Sequence, residues 1–181
     1  MLKKYVRNEV LRNILEWVFS IAIAVIIFLM IDNFVLKSAR VYGGSMEPTY
    51  VHHDRVIVNR LVYHFTDPQL GDVIAFPFAY DPSQQYIKRI VGVPGDVMDM
   101  RSGFVYRNGV RLDDAFSEEP AFHGTVNFPI AVEEGTFFVL GDNRQISEDS
   151  RFYRVGNVAQ GDILGRVDFR WFPFNRFGFV N

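Results

Sequence analysis

Between Glu16 and Asp32 stand fifteen residues, WVFSIAIAVIIFLMI, whose one polar member is Ser20. A run this apolar must be covered by protein or lipid, and it constrains the chain more than any other feature. Alone it falls short of the ~20 residues that a bilayer crossing needs. Widened to Ile14–Phe34 it has 21 residues. That is about 31 Å of helix at ~1.5 Å per residue, with Glu16 and Asp32 in the headgroup layers. Lys3, Lys4, Arg7 and Arg12 precede the run, which sets the N-terminus on the cytoplasmic side. Lys37 and Arg40 weaken that bias without reversing it. The competing reading is a cleaved secretory signal, whose apolar region is usually about 7–15 residues. The following DNFVLKSAR offers no clean small-x-small cleavage site. The expectation is a cytoplasmic N-terminus at 1–13, an uncleaved transmembrane anchor at 14–34 and an extracytoplasmic domain at 35–181.

The remaining length suffices for one domain with a sizeable core and is too short for two ordinary ones. Residues 1–40 carry a balance of +3 and residues 41–181 a balance of −5, for a formal net charge of −2. No global basic surface is available for nucleic acid. The chain has no cysteine, which excludes a disulfide scaffold and any thiolate metal or nucleophile site.

Beyond residue 40 the pattern is β. VIVNRLVYHF, DVIAFPF, QYIKRIVGV, FVYRNGVRL, GTFFVLGD and DILGRVDFRWF are short, rich in Val, Ile, Phe and Tyr, and bounded by Gly, Pro, Asp and Asn. Gly-Asp at 71–72, 95–96, 141–142 and 161–162 marks junctions between apolar runs, at spacings too unequal for a repeat. Asn108-Gly109 is the strongest hairpin signal. These signs predict a compact, mostly antiparallel β domain.

Residues able to do chemistry are few. Of the thirteen Lys/Arg after residue 40, twelve are arginine, which stays protonated. The exception, Lys88, would share a strand face with Tyr86 and Ile90, opposite Ile87, Arg89 and Val91. Partial burial with a depressed pKa is one reading, and a lysine snorkelling from a half-exposed strand is the other. VYGGSMEPTY puts Ser45 on a tightly turned backbone, where it is either a loop serine or a nucleophile awaiting a base. His52 and His53 are the nearest imidazoles in sequence. LGDNRQISEDSR reads as a loop that satisfies its own backbone and braces a neighbour. Arg144 among its oxygen donors argues against a calcium loop.

Together these blocks resemble type I signal peptidases, membrane-anchored serine proteases that release signal peptides from exported proteins. The resemblance rests on GxSMxPT beyond an anchor, YIKRIVGVPGD and GDNRQISEDSR, joined by DRVIVNR at 54–60, GDVIAF at 71–76 and GDILGRV at 161–167. It runs through essentially the whole chain in the family's order. It implies Ser45 as nucleophile and Lys88, as a neutral amine, as general base. It further implies that Ser147 holds the lysine amine by a hydrogen bond. Asp149 and Arg151 would brace the site, with Asp142 and Arg144 as flanking support. No cofactor and no metal are implied. One departure is Gly43, where some members carry a Ser or Thr whose hydroxyl stabilises the oxyanion. That task then falls to backbone N–H groups, most directly that of Ser45. Because Lys88 fits the family's block, His52, His53, His64 and His123 read as ordinary loop or surface histidines.

The same resemblance implies an extended signal peptide of a preprotein, paired between Arg40–Gly44 and the strand ending at Lys88. Small residues of the Ala-x-Ala type would enter shallow pockets, with Val41, Tyr42, Gly43, Met46, Tyr86 and Ile87 as the substrate-binding residues. The expected place is the inner (cytoplasmic) membrane, with the lipid bilayer as a partner and no nucleic acid. RWFPFNRFGFV holds five Phe/Trp between Trp171 and Phe179, read either as core packing or as an apolar, basic rim on the bilayer. Two other classes compete: a membrane-anchored binding module with a dead β domain, and a self-cleaving Ser–Lys regulator. The second normally carries a DNA-binding domain, where this chain has an apolar run.

Overall fold

In the computed structural model, residues 2–30, 35–113, 115–116 and 118–180 are described. The first helix, α1 (Leu2–Met30), carries the apolar run, and Ile31–Phe34 of the expected anchor lie outside the described residues. Its Leu11–Leu29 stretch is long and apolar enough to cross a membrane, and none of it is covered by the rest of the chain. The Ser20 hydroxyl donates back to the Glu16 carbonyl at 2.8 Å. This internal bond satisfies the hydroxyl of the run's one polar side chain. An apolar helical stretch left uncovered by the rest of the chain fits a membrane anchor.

The β pattern closes into two antiparallel sheets. The strands are β1 (Leu36–Arg40), β2 (Arg55–Asn59), β3 (Val73–Phe78), β4 (Asp81–Gly92), β5 (Val97–Arg101), β6 (Phe104–Arg107), β7 (Val110–Arg111), β8 (Ile130–Ala131), β9 (Thr136–Leu140), β10 (Val158–Ala159), β11 (Gly165–Phe172) and β12 (Gly178–Phe179). The larger sheet runs β1-β2-β11-β3-β4-β9-β10, with β12 beside β11, and the smaller runs β7-β6-β5-β8. Asn108 and Gly109 join β6 to β7 with φ of 52° and 78°, the positive pair a two-residue hairpin turn demands.

Period-two alternation decides what each strand buries. On β2 it sends Val56 and Val58 into a cluster with Val41, Met46, Tyr50, Val73 and Val167. On β4 it sends Ile90 and Tyr86 towards Ile74 and Phe76, and Ile87 towards the Val41–Met46 cluster. Lys88 pairs with Ile74 across the sheet.

Two expectations fail here. The run VIVNRLVYHF is not one strand, because β2 stops at Asn59. The Asn59 Oδ1 accepts from the Leu61 and Val62 N–H groups at 3.2 and 3.3 Å, opening a short helical turn, α2 (Val62–Phe65). The C-terminal aromatics do not pack in the core either. Phe174 and Phe179 are 75% and 78% exposed, and Phe172 and Phe177 are exposed as well. Trp171 and Phe169 are half-buried, Phe169 edge-on to Phe177 and Phe179 at 5.0 Å. Arg55 lies over Trp171 and Phe172, giving the surface the basic, apolar character of the rim reading.

This terminal segment is tied down by the buried Asp54. Its carboxylate accepts from Arg176 at 2.6 Å, Arg170 at 3.3 Å and the Val51 N–H at 3.0 Å. Arg170 also donates to the Thr49 carbonyl at 2.9 Å, behind the Ser45 loop. Removing the acid strands two guanidinium groups, which costs about 3 kcal/mol or more. Asp54→Ala is therefore expected to lower Tm by about 6–12 °C in thermal melts, given ~2–4 °C per kcal/mol at this size.

Candidate active site

Lys88 and Ser45, 43 residues apart in sequence, meet with Nζ 2.8 Å from Oγ. The Lys88 amine donates to the serine oxygen in this arrangement. Lys88 is only 4% exposed. Burial pushes its pKa from the ordinary 10.5 down to about 8; Asp149, Glu148 and Asp142 partly oppose that, while Arg151 adds to it. Nζ also lies 5.1 Å from the Tyr86 ring centroid. The lysine is therefore the buried one of the two readings, on a face set by strand alternation.

Ser45 sits in a loop between β1 and β2. The Tyr50 N–H bonds back to the Met46 carbonyl at 2.9 Å, and Glu47 to Gly44 at 3.1 Å, so the segment turns immediately after the serine. From the other side, the Asn143 N–H donates to the Ser45 carbonyl at 3.0 Å. The segment 141–151 thus grips the Ser45 loop through its backbone.

That segment is held by a buried ion pair. Arg151 Nε and Nη2 donate to the two Asp149 oxygens at 2.7 and 2.8 Å, and both side chains are inaccessible to water. Arg151 donates further to the carbonyls of Phe122, Arg144 and Ser147. Asp149 in turn accepts the Gly141 N–H at 3.0 Å. Asp142 has a different set of partners. Arg89 Nε and Nη2 bind its carboxylate at 2.8 Å each, and the Thr49 hydroxyl donates to it at 2.5 Å. Arg144 Nε donates to the Gly141 carbonyl at 3.0 Å.

Ser147 departs from its expected bonding. Its hydroxyl is buried but has no hydrogen-bond partner among the described residues, so the expected bond to the Lys88 amine is not made. The amine is directed at Ser45 instead. Gly141 explains how closely these parts fit. A Cβ there would lie 2.2 Å from Ser147 Oγ and 2.4 Å from the Ser45 carbonyl oxygen.

A groove of about 700 Å³ runs past the pair. Residues 38–46 line one side and residues 83–88 the other, with Ile146 and Glu148 at the end near Lys88. All six expected substrate-binding residues lie along it. Val41 and Met46 are buried in the floor, and Tyr42 stands 72% exposed at the rim. Among the described residues, β1 pairs with β2 alone, and β4 pairs with β9 over Arg89–Gly92 alone. Residues 83–87 therefore present an unpaired edge on the side away from β3. Gly43 is held differently, since its N–H donates to His52 Nδ1.

Sequence reasoning missed Arg89, Thr49, Glu148 and Gly141. Arg89 follows Lys88 and points the other way by alternation, but its partner lies 53 residues on. Glu148 accepts from the Tyr86 hydroxyl at 3.0 Å and pairs with Arg154 at 3.5 Å, which no spacing rule foretells. Gly141, in one of the four Gly-Asp pairs, looked like a turn signal, yet its φ is not positive and close packing is what excludes a side chain.

The sequence matches the family described as Signal peptidase, peptidase S26, over residues 14–172. A probable signal peptidase I-1 of Synechocystis is 36% identical over 86% of this chain and 81% of its own length. Signal peptidase IB of Staphylococcus aureus is 33% identical over 92% of this chain and 93% of its own. The crystal structure of a signal peptidase I from Enterococcus faecalis aligns with a TM-score of 0.45 and 34% identity. That alignment covers 56% of this chain and 97% of the other.

Two outcomes are expected from this geometry. The folded chain gives up the Lys88 proton near pH 8, whereas the unfolded chain keeps it until about 10.5. Between those values the unfolded state binds more protons, so stability rises with pH. Wild type should gain about 3 kcal/mol relative to Lys88→Met between pH 8 and 10.5, read from melts across that range. A stability difference that ignores pH would mean the amine is not driven neutral. Gly141→Ala should lose at least about 1–3 kcal/mol by overpacking. Gly161→Ala, with open space around its Cβ, should stay within about 0.5 kcal/mol of wild type.

Proposed function

The chain belongs to the signal peptidase family, peptidase S26, and we propose that it is a membrane-anchored serine endopeptidase cleaving signal peptides from exported preproteins after Ala-x-Ala-type sites. The observation that carries this reading is the 2.8 Å approach of the Lys88 amine to the Ser45 hydroxyl. Only a neutral amine has the lone pair to accept a proton, and burial favours that form.

Ser45 Oγ attacks the scissile carbonyl carbon while its proton passes to Lys88 Nζ. The oxyanion of the tetrahedral intermediate is met by backbone N–H groups, that of Ser45 first among them. Collapse expels the mature protein's amine, which takes the proton from Lys88 and leaves the signal peptide esterified to Ser45. Lys88 then deprotonates a water that hydrolyses the ester and restores the hydroxyl. Each time Lys88 becomes an ammonium it has three N–H groups to satisfy. Ser147 is the proposed second acceptor at that moment, its buried oxygen being otherwise without a partner. Asp149, Arg151, Asp142 and Arg144 hold the loop that carries it.

The substrate would enter as an added strand between the two unpaired edges, with backbone pairing for affinity and the floor around Val41, Met46 and Ile87 admitting only small side chains. Residues 14–34 would anchor the enzyme in the cytoplasmic membrane with residues 1–13 inside and 35–181 outside, as the early basic residues favour. The exposed aromatics near the C-terminus would rest on the same bilayer.

Initial rates on a preprotein bearing an Ala-x-Ala site, over pH 6–10, test the pair directly. The rate should rise as Lys88 loses its proton, through about pH 8, and then level off. Lys88→Arg should be inactive but folded by circular dichroism, as should Ser45→Ala. Ser147→Ala should keep the fold and lose about tenfold or more in turnover, the worth of one buried bond to a charged group. Substantial activity in a folded Lys88→Arg protein would remove the lysine from the mechanism.

A further inference from the structure

We propose that His52 is a positioning residue for this reaction, its imidazole holding the Gly43 N–H and thereby fixing the backbone that presents Ser45. The proposal rests on the reading of Ser45 as nucleophile. Gly43 N lies 3.0 Å from His52 Nδ1. To accept, Nδ1 must be without a proton, so the neutral ring carries its hydrogen on Nε2.

Three bonds close the neck of the loop that carries the serine. The Val41 N–H donates to the Asp54 carbonyl at 2.8 Å, and the His53 N–H to the Val41 carbonyl at 2.9 Å. The third, from Gly43 to His52, is nearest to Ser45 and is the one made by a side chain. Gly43 itself offers little restraint. Its φ is +80°, and nothing lies within 4 Å of where its Cβ would be. With no side chain to pack, its position depends on what its N–H is bonded to.

His52 is oriented in turn by its neighbours. Its ring lies 3.7 Å from that of His53 and edge-on to Tyr42 at 6.0 Å. Arg40 sits over the far side of Tyr42 at 5.8 Å. Among the described residues, His53, Tyr42 and Arg40 are the titratable and charged groups placed beside it. The pKa of His53 is lowered by lost hydration, by Arg40 and by His52 itself, so this corner resists gathering positive charge. A proton arriving on Nδ1 would remove the acceptor and oppose the Gly43 N–H with a second donor.

The test uses the full chain in detergent micelles with a preprotein bearing an Ala-x-Ala site. Asn is the informative replacement, because its Oδ1 is bonded to Cγ as Nδ1 is, and it accepts without titrating. His52→Ala should lose about tenfold in kcat, the worth of one hydrogen bond, with KM and Tm little changed. His52→Asn should recover most of that loss. A second arm needs no turnover: in Ser45→Ala protein, the Gly43 amide proton should exchange faster when His52→Ala is added and return to the parent rate with His52→Asn. This arm can succeed even if Ser45 is not the nucleophile, so the two failures are distinguishable. Wild-type kcat in His52→Ala, or a Gly43 amide whose exchange ignores the loss of His52, overturns the proposal.

Discussion

Everything around Ser45 is referred back to one buried charge pair, Asp149 with Arg151. Two parallel bonds join the pair, and each partner spends its remaining hydrogen-bonding capacity on backbone. The guanidinium gathers the carbonyls of Phe122, Arg144 and Ser147, and the carboxylate takes the Gly141 N–H. Arg151's own carbonyl accepts from Thr125 and Val126, so the loop before β8 is drawn in as well. Gly124 must be bare for this, since a Cβ there would lie 2.1 Å from that carbonyl oxygen. A pair desolvated this completely contributes little net stability against an apolar replacement, but it fixes geometry. What it fixes is the backbone of 141–147, and through Asn143 the carbonyl of Ser45.

Lys88 works against stability in the same setting. Keeping its amine dry is unfavourable at neutral pH, and the surrounding β strands supply the offset. β4 makes this possible by pairing with β3 along 85–89 and with β9 beyond it. The strand is thus paired on both sides at Arg89, directly after the lysine, and on one side at Lys88 and along the groove. The same strand carries Tyr86, whose hydroxyl is tied to Glu148.

How much of this could be read from the residues depends on the range of the physics involved. Alternation is local, and it correctly set Lys88 among Tyr86 and Ile90 and turned Arg89 away. Turn chemistry is local too, and Asn108-Gly109 behaved as its composition requires. The side-chain bond by which Asn59 ends β2 is also local, but it competes with a strongly β-forming run, and composition favoured the run. Partners distant in sequence were out of reach. Nothing near Arg89 points to Asp142, nothing in DSR says that its arginine collects three carbonyls, and nothing about two adjacent histidines says that one accepts from a glycine nine residues earlier. The role of the Ser147 hydroxyl comes from the resemblance alone, and its lack of a bond among the described residues follows from how 141–151 packs, which no local pattern encodes.

The two unpaired strand edges have a consequence of another kind. An exposed edge is ordinarily a hazard, because any extended chain can join it. Here the two face each other across a cleft with a buried floor. On the proposed reading a newcomer is a single strand, its backbone pairing is indifferent to sequence, and the floor admits small side chains at alternate positions. On the proposed reading, this division lets one enzyme serve clients with little else in common. Much of the discrimination between a cleavable segment and other chains then depends on whether the segment arrives unfolded, at the depth of the membrane where the groove is held.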